Sequence, residues 1–229
     1  MGSPVMTSPY GRVSRVALAL ALGAMAPSIA RADSATDAAT AKELSKPPER
    51  RSGLVFGFGL GAGVAGASGY PNAESKIGNP TYYDGSDAMG GGGGTVFVMG
   101  ALSDWLNVGV FYTRANFRSA DWTTYGGGGG FRVDLFPLYP WVPKLRDLAV
   151  FGQFGIGTST LTPTSGSREA ATGTESFIGG GVFYDFLLGH VGKGHFAAGP
   201  TLEYDVELTQ ANVRYGGLVG GRIAFYTGK

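Results

Sequence analysis

YGGGGGFRVDLF, from Tyr125 to Phe136, sets five glycines directly against a segment in which apolar and charged residues alternate. A second pentaglycine, Gly90–Gly94, runs into TVFVMG in the same way. Such a stretch is either a flexible linker that leads into a strand or one continuous strand with a crowded face. Alternation with a period of two is the pattern of a β-strand, so the rest of the chain decides between the two interpretations.

The same period of two recurs along the chain from Gly53 onward. Bulky apolar residues alternate with glycine or polar residues in GLVFGFGLGAGVAG, LNVGVFYT, LAVFGQFGIG, FIGGGVFYDF, FAAGPTLEYDV and GLVGGRIAFY. With the two pentaglycine segments, these make about eight strands, a number typical of the smallest outer-membrane barrels. Within the seventh, Pro200 predicts a bulge or a strand end because it has no N–H to donate.

We therefore interpret both pentaglycines as the outer ends of strands. Glycine there leaves space for side chains that point into a narrow interior, and it permits sharp coiling of the sheet. For Gly90–Gly92, which adjoin a long loop, a linker remains the alternative.

The composition excludes several classes of protein. The chain has 229 residues with 41 glycines but no Gly-X-Y period, which excludes collagen. Its 18 basic and 17 acidic residues are spread along the chain and give a net charge of +1, so nucleic acid is not an expected partner. It has no cysteine, hence no disulfide and no thiolate metal site.

The N-terminus predicts a signal peptide over residues 1–32. Arg12 and Arg15 precede an apolar run, and Ala30 and Ala32 are small residues in front of a cleavage site. The run is shorter than the roughly 20 residues of a spanning helix. An uncleaved anchor or a buried helix is the alternative.

The remaining boundaries follow from the change in character at Gly53. Residues 33–52 are polar, rich in Ala and Thr, and contain Pro47 and Pro48, which predicts a flexible periplasmic segment. Residues 53–226 form the predicted barrel, and residues 227–229 form a short tail.

The two faces of the strands indicate which solvent surrounds the barrel. An eight-stranded barrel is either a soluble binding protein or a membrane protein. Here a bulky apolar face stands opposite a face of glycine with occasional charges, and only the latter fits inside a small lumen. We therefore predict an all-β fold, an eight-stranded antiparallel transmembrane β-barrel in the outer membrane of a Gram-negative bacterium.

The charges on the glycine face are predicted to pair across the lumen. An arginine that faces lipid at the midplane costs about 2–4 kcal/mol, so Arg132 and Arg222 are expected inside, where each needs an acidic partner. Separate hydration near the rims is the alternative. The predicted lumen charge network comprises Arg132, Asp134, Asp185, Glu203, Asp205 and Arg222.

Aromatic residues near the strand ends predict two interfacial girdles. Scattered core aromatics are the alternative. The predicted periplasmic girdle contains Trp105, Trp141 and Tyr139, and the predicted outer girdle contains Trp122, Tyr125, Tyr112 and Tyr215.

The ending GGRIAFYTGK resembles the assembly signal of outer-membrane barrels, with Gly220, Ile223 and Phe225 at the matching positions. In that family the aromatic is usually the last residue, whereas residues 226–229 follow it here. Together with the leader and the strand pattern, the chain resembles the small barrels of the OmpA transmembrane-domain and OmpX type. The resemblance implies outer-membrane lipid, lipopolysaccharide and the barrel assembly machinery as partners.

The sequence predicts no enzyme. His190 and His195 are the two histidines, they lie beside a predicted periplasmic turn, and no serine lies two residues from either. No third ligand is evident, so we expect no metal and no cofactor. The expected role is structural or one of surface interaction through the loop 67–89, with a charge-plugged lumen. A narrow channel for ions or small apolar molecules is the alternative.

Overall fold

The computed structural model describes residues 51–71, 75–165, 169–209 and 211–228. The predicted signal peptide and the predicted polar segment up to residue 50 lie outside the described residues. Within the described part of the chain, no helix is long and apolar enough to cross a membrane.

One antiparallel sheet closes on itself, because the last strand pairs with both the first strand and its own predecessor. In the described residues its ten strands are β1 (Gly53–Gly69), β2 (Asp84–Gly85), β3 (Met89–Ser103), β4 (Leu106–Arg118), β5 (Trp122–Leu135), β6 (Leu148–Pro163), β7 (Ala171–Tyr184), β8 (Phe186–Val191), β9 (Gly194–Leu208) and β10 (Asn212–Tyr226).

Two of these strands add nothing to the circumference. The two-residue β2 extends the pairing of the outer end of β1, and β7 and β8 follow one another along β9. Eight strands therefore surround the lumen, and the predicted eight-stranded antiparallel barrel is confirmed.

Both pentaglycines belong to β-strands, and these two strands flank β4. Gly90–Gly94 pairs with the outer half of β4 from one side, and Gly126–Gly130 pairs with it from the other. The linker alternative for Gly90–Gly92 is wrong, since these residues belong to β3.

The inward glycines of β5 are required by the close approach of β6. Gly130 stands opposite Gly155 in the register, and a methyl group on Gly130 would lie 2.0 Å from the carbonyl oxygen of Phe154. A methyl group on Gly128 would lie 2.3 Å from the oxygen of Ile156. The backbones approach so closely on the inside that no side chain fits, which permits the tight coil of a small barrel.

Bulky residues at alternating positions cover the outside of the barrel. Leu60, Ile156 and Val219 are each more than 60% exposed, at 64%, 69% and 65%. A continuous apolar surface of this kind is compatible with lipid and not with water.

The assignment of bulky residues to the outer face needs one correction. Where three bulky residues are consecutive, the middle one points inward, as Phe97 does between Val96 and Val98. Buried phenylalanines thus occupy part of the lumen that glycine was expected to leave to charges, and they are Phe97, Phe111, Phe117, Phe151, Phe177 and Phe183.

A break between β7 and β8 positions one acidic residue. The ladder between Phe183 and Thr201 stops, and it resumes between Phe186 and Ala198, so the gap holds Tyr184 opposite Pro200 and Asp185 opposite Gly199. Pro200 was expected at a bulge or a strand end, and this expectation is wrong. The proline lies inside β9, where the neighbouring ladder is interrupted, and Asp185 is completely buried there.

The connections at the two ends of the barrel differ. At one end, two-residue turns join β3 to β4 and β8 to β9, and the longer connection 136–147 joins β5 to β6 and holds a 3-10 helix, Pro143–Leu145. The longest described connection, between β1 and β3, lies at the other end and contains the 3-10 helix Pro80–Tyr82 and β2. By the usual pattern of outer-membrane barrels, the first end is periplasmic and the second is the outer end.

Substitution of Gly130 by alanine should destabilise the barrel by about 1–3 kcal/mol, because the new methyl group overlaps the backbone of β6. The matched control is Gly152→Ala, since a methyl group at Gly152 meets no atom within 4 Å. Urea titration of the detergent-folded variants, followed by tryptophan fluorescence, measures both. Equal midpoints for the two variants would contradict the close approach.

Candidate functional site

The lumen contains a carboxylate that bridges two arginines. Asp134 Oδ1 accepts a hydrogen bond from Arg132 Nε at 2.8 Å, and Asp134 Oδ2 accepts one from Arg222 Nη1 at 3.3 Å. The Nε atom of Arg222 also lies 3.3 Å from Asp185 Oδ1. All four side chains are buried, and they connect β5, the break between β7 and β8, and β10 across the interior.

Gln153 extends this network toward two further acids. Its Oε1 accepts a hydrogen bond from Arg132 Nη1 at 3.3 Å. Its Nε2 donates to Glu203 Oε1 at 2.6 Å and to Asp205 Oδ1 at 3.0 Å. The amide therefore carries the connection from the arginines to the acidic side chains of β9.

Inward phenylalanines cover the faces of the two central guanidinium groups. The Cζ atom of Arg222 lies 3.6 Å from the ring centroid of Phe183, and that of Arg132 lies 3.8 Å from that of Phe151. Phe97 lies near both cations, at 4.8 and 5.3 Å. Because a guanidinium group binds carboxylates through its edge and aromatic rings through its face, both surfaces of each arginine are occupied.

A second ion pair lies closer to the outer end. Arg214 on β10 pairs with Glu207 on β9, and both side chains are buried. Gly126 of the second pentaglycine faces this pair, and a methyl group there would lie 2.5 Å from Arg214 Nη2. The missing side chain of Gly126 therefore makes room for the ion pair.

A third ion pair occupies the periplasmic end. Arg51 Nη2 lies 2.5 Å from Asp147 Oδ1, and Arg51 Nη1 donates to the backbone oxygen of Asp104 at 3.2 Å. The guanidinium group is stacked on Phe136, with Cζ 3.7 Å from the ring centroid. Arg51 is 1% exposed, so the last residues before β1 pack into the barrel although they belong to the predicted flexible segment.

The structure brings all six residues of the predicted lumen charge network into the interior. Arg132, Arg222, Asp134 and Asp185 contact one another, whereas Glu203 and Asp205 contact Gln153. Asp205 is half-buried and the other five are buried.

The predicted network omits several participants in these interactions, among them Glu207, Arg214, Gln153 and the ion pair of Arg51 with Asp147. Glu207 and Arg214 share the inward positions of Asp205 and Arg222, so the period of two contained the signal for them. Gln153 is the polar residue of LAVFGQFGIG and shares the face of Gly155 and Gly157, but the predicted network contains charged residues alone. No periodic signal marks Arg51, because it precedes the first strand.

The predicted girdle residues separate into three groups. Trp105, Trp141 and Tyr112 are well exposed on the outside, and Tyr125 is half-buried. Tyr139 is also half-buried, and its hydroxyl donates to Asp104 Oδ2 at 2.8 Å, so it helps to close the periplasmic end.

Trp122 does not belong to the outer girdle. It is 6% exposed and packs inside the barrel with Met89, Phe117 and Leu161. The reason is its position in β5, an even number of residues before Arg132, which places both on the inward face.

The C-terminal strand and the histidines contain further aromatic contacts. Of the residues matched to the assembly signal, Ile223 is exposed to the outside, Gly220 packs on Leu60, and Phe225 contacts Phe196 with ring centroids 4.8 Å apart. His190 and His195 face each other across the β8–β9 hairpin. His195 is buried and stacks on Tyr226 with centroids 4.9 Å apart, although it lies beside the turn between β8 and β9.

These features define a class of protein. A closed antiparallel barrel satisfies all of its backbone hydrogen bonds within the sheet, and this one combines an apolar exterior with buried internal charges. The chain therefore has the architecture of a transmembrane β-barrel of the outer-membrane type, with an apolar exterior that faces lipid.

Comparison with known proteins gives structural similarity only. No family model and no curated protein matches the chain. It is similar to the crystal structure of Ail, the attachment invasion locus protein of Yersinia pestis, at 11% identity and a TM-score of 0.42, over 74% of this chain and 98% of that one. Neisserial surface protein A matches at 18% identity and a TM-score of 0.36, over 72% and 95%. The outer membrane protein OprG from Pseudomonas aeruginosa matches at 10% identity and a TM-score of 0.39, over 77% and 98%.

Substitution of Arg222 by methionine should lower the free energy of unfolding by about 3–5 kcal/mol, because Asp134 and Asp185 then share one cation fewer in a buried site. The exposed residue Arg118 supplies the control, Arg118→Met, which removes the same charge without a buried partner. Urea midpoints in detergent measure the difference. A variant as stable as the wild type would show that the two acids are hydrated independently.

Proposed function

We propose that the protein is a closed outer-membrane barrel with a structural or surface-contact role, and that its charge network plugs the lumen. The observation that carries the proposal is the succession of buried ion pairs along the interior. Arg51 pairs with Asp147 at the periplasmic end, Arg132 and Arg222 share Asp134 in the middle, and Arg214 pairs with Glu207 toward the outer end.

This succession leaves little room for a permeant ion. A cavity beside Arg214 and Asp205 has a volume of about 20 Å³, which is enough for about one water molecule. The aromatic rings of Phe97, Phe151 and Phe183 fill the space around the central arginines. Passage through the lumen requires separation of buried ion pairs, each of which costs several kcal/mol to break.

The described outer connection, residues 75–88, forms a structured outer cap. Its β2 pairs with the end of β1, and the hydroxyl of Tyr83 donates to Ser68 Oγ at 2.7 Å. Lys76 Nζ lies 2.6 Å from Glu169 Oε1, which joins the cap to the connection between β6 and β7.

The outer cap encloses a cavity that opens to the outside. Its volume is about 250 Å³, and its lining combines the rings of Tyr82, Tyr83 and Trp122 with the charges of Asp84 and Glu169. Aromatic faces beside hydrogen-bonding groups are common at recognition surfaces. The outer cap is therefore the surface through which we propose that the protein makes contact.

The proposed partners follow from this placement. Outer-membrane lipid and lipopolysaccharide surround the apolar exterior, and the barrel assembly machinery inserts the chain by way of the segment with Gly220, Ile223 and Phe225. A surface partner binds through the loop 67–89.

Reconstituted into planar bilayers, the wild-type protein should show no conductance steps, because every layer of the lumen contains a paired cation. The variant Glu207→Ser/Arg214→Ser should also remain silent, since the central layer persists when the outer pair is removed. A shift in gel mobility on heating shows that the protein in each sample is folded. Conductance steps from the wild type would overturn the plug and favour the narrow channel.

Deletion of residues 72–87 should leave the barrel folded and abolish surface contact. The direct pairing of β1 with β3 begins at Ala65 and Met89, beneath the deleted segment, so the wall keeps its ladder. Adherence of expressing cells to a panel of immobilised saccharides and proteins measures the contact. Unchanged adherence by cells with the deletion would contradict a role for the outer cap.

A further inference from the structure

The lipid-facing side of β4 ends in two arginines. Thr113 and Phe117 point into the lumen and are buried, so the intervening positions point outward. Arg114 and Arg118 occupy two of these outward positions, and both are exposed. Charged residues on the exterior of a transmembrane barrel are tolerated near the interfaces and are expensive at the midplane.

The depth of Arg114 can be obtained from strand geometry. It lies nine residues beyond Trp105, which is exposed at the periplasmic end. At about 3.4 Å per residue and a tilt of about 40°, nine residues rise about 23 Å along the barrel axis. The apolar band of such barrels is about 25 Å tall. Arg114 therefore lies at the level where the outer hydrocarbon layer meets its headgroups, and Arg118 lies above it.

The surroundings of Arg114 leave it accessible from the membrane. Its partners in the neighbouring strands are Gly94 on β3 and Gly127 on β5, which have no side chains to cover it. Arg118 likewise stands beside Gly90 and opposite Thr123. A ligand that approaches from the outer leaflet can therefore reach both guanidinium groups.

The guanidinium group of Arg114 is already oriented. Its Cζ atom lies 4.5 Å from the ring centroid of Tyr125, a cation–π contact that restrains the side chain. Among the described residues neither Arg114 nor Arg118 forms an ion pair, and Asp121 in the following turn pairs with neither. This contrasts with Arg51, Arg132, Arg214 and Arg222, each of which has an acidic partner inside the barrel.

We propose that Arg114 and Arg118, with Tyr125, form a binding site for the phosphate group of a phosphorylated glycolipid of the outer leaflet. Two guanidinium groups on the same outward face of one strand, four residues apart, match an anion with several acceptor oxygens. The apolar exterior below them accommodates acyl chains, which a soluble anion lacks. Charge complementarity and membrane depth together thus favour a lipid as the source of the phosphate.

The site deepens the proposed association with lipopolysaccharide and rests on that part of the proposed function. It is independent of the plug and of the outer cap, which are tested by conductance and by adherence. If the lipid site fails its test, those two results stand unchanged.

Native mass spectrometry of the detergent-solubilised protein, titrated with bisphosphorylated lipid A, tests the site. The variant Arg114→Gln/Arg118→Gln should bind roughly tenfold or more weakly than the wild type, because it loses charge-assisted hydrogen bonds. The control, Lys144→Gln/Lys193→Gln, removes the same charge from exposed positions at the periplasmic end and should bind as the wild type does. A heat-dependent shift in gel mobility verifies that each variant is folded.

Two further arms identify the source of the phosphate. Lipid A without phosphates should bind the wild type as weakly as bisphosphorylated lipid A binds the arginine variant, and inorganic phosphate should not displace bisphosphorylated lipid A at comparable concentration. Equal affinities of the wild type and the arginine variant, or no effect of dephosphorylation, would overturn the site. Displacement by inorganic phosphate would overturn a lipid as its ligand.

Discussion

The structure depends on a single carboxylate that is shared by two arginines inside a narrow barrel. Asp134 is completely buried, and a buried charge of this kind is tolerable only when it is paired and hydrogen-bonded. Arg132 and Arg222 provide this pairing from β5 and β10, and Phe151 and Phe183 cover the remaining faces of the cations. The interior therefore holds paired charges, and aromatic rings fill the space around them.

Glycine is the counterpart of this filled interior. On β5, the inward glycines allow β6 to approach and leave room for Arg214 and Glu207. The outward Gly94 and Gly127 instead leave Arg114 uncovered on the lipid side. One compositional feature thus shapes the lumen on one face of the sheet and the membrane surface on the other.

Much of the fold follows from periodicity, because a strand that separates lipid from a lumen must alternate its two faces. Applied to every residue of a strand, the same rule also predicts that Glu207, Arg214 and Trp122 point inward. Periodicity does not predict that Asp134 pairs with Arg222, 88 residues away. That pairing depends on the register and coil of the closed sheet. Nor does periodicity predict the burial of Arg51, because the periplasmic opening that buries this residue exists only in the closed barrel.

The distribution of cations among the strands has a consequence for the order of assembly. The last strand, β10, contributes both Arg214 and Arg222, whereas their acidic partners lie on strands synthesised earlier. An unclosed sheet that lacks β10 leaves Glu207 and Asp185 without these cations, and such acids favour a hydrated environment. Arrival of the final strand supplies the cations that pair with Glu207 and Asp185, and it completes the hydrogen-bonded ring in the same event. Because both changes depend on β10, we expect the sheet to enter lipid only after this strand has joined it.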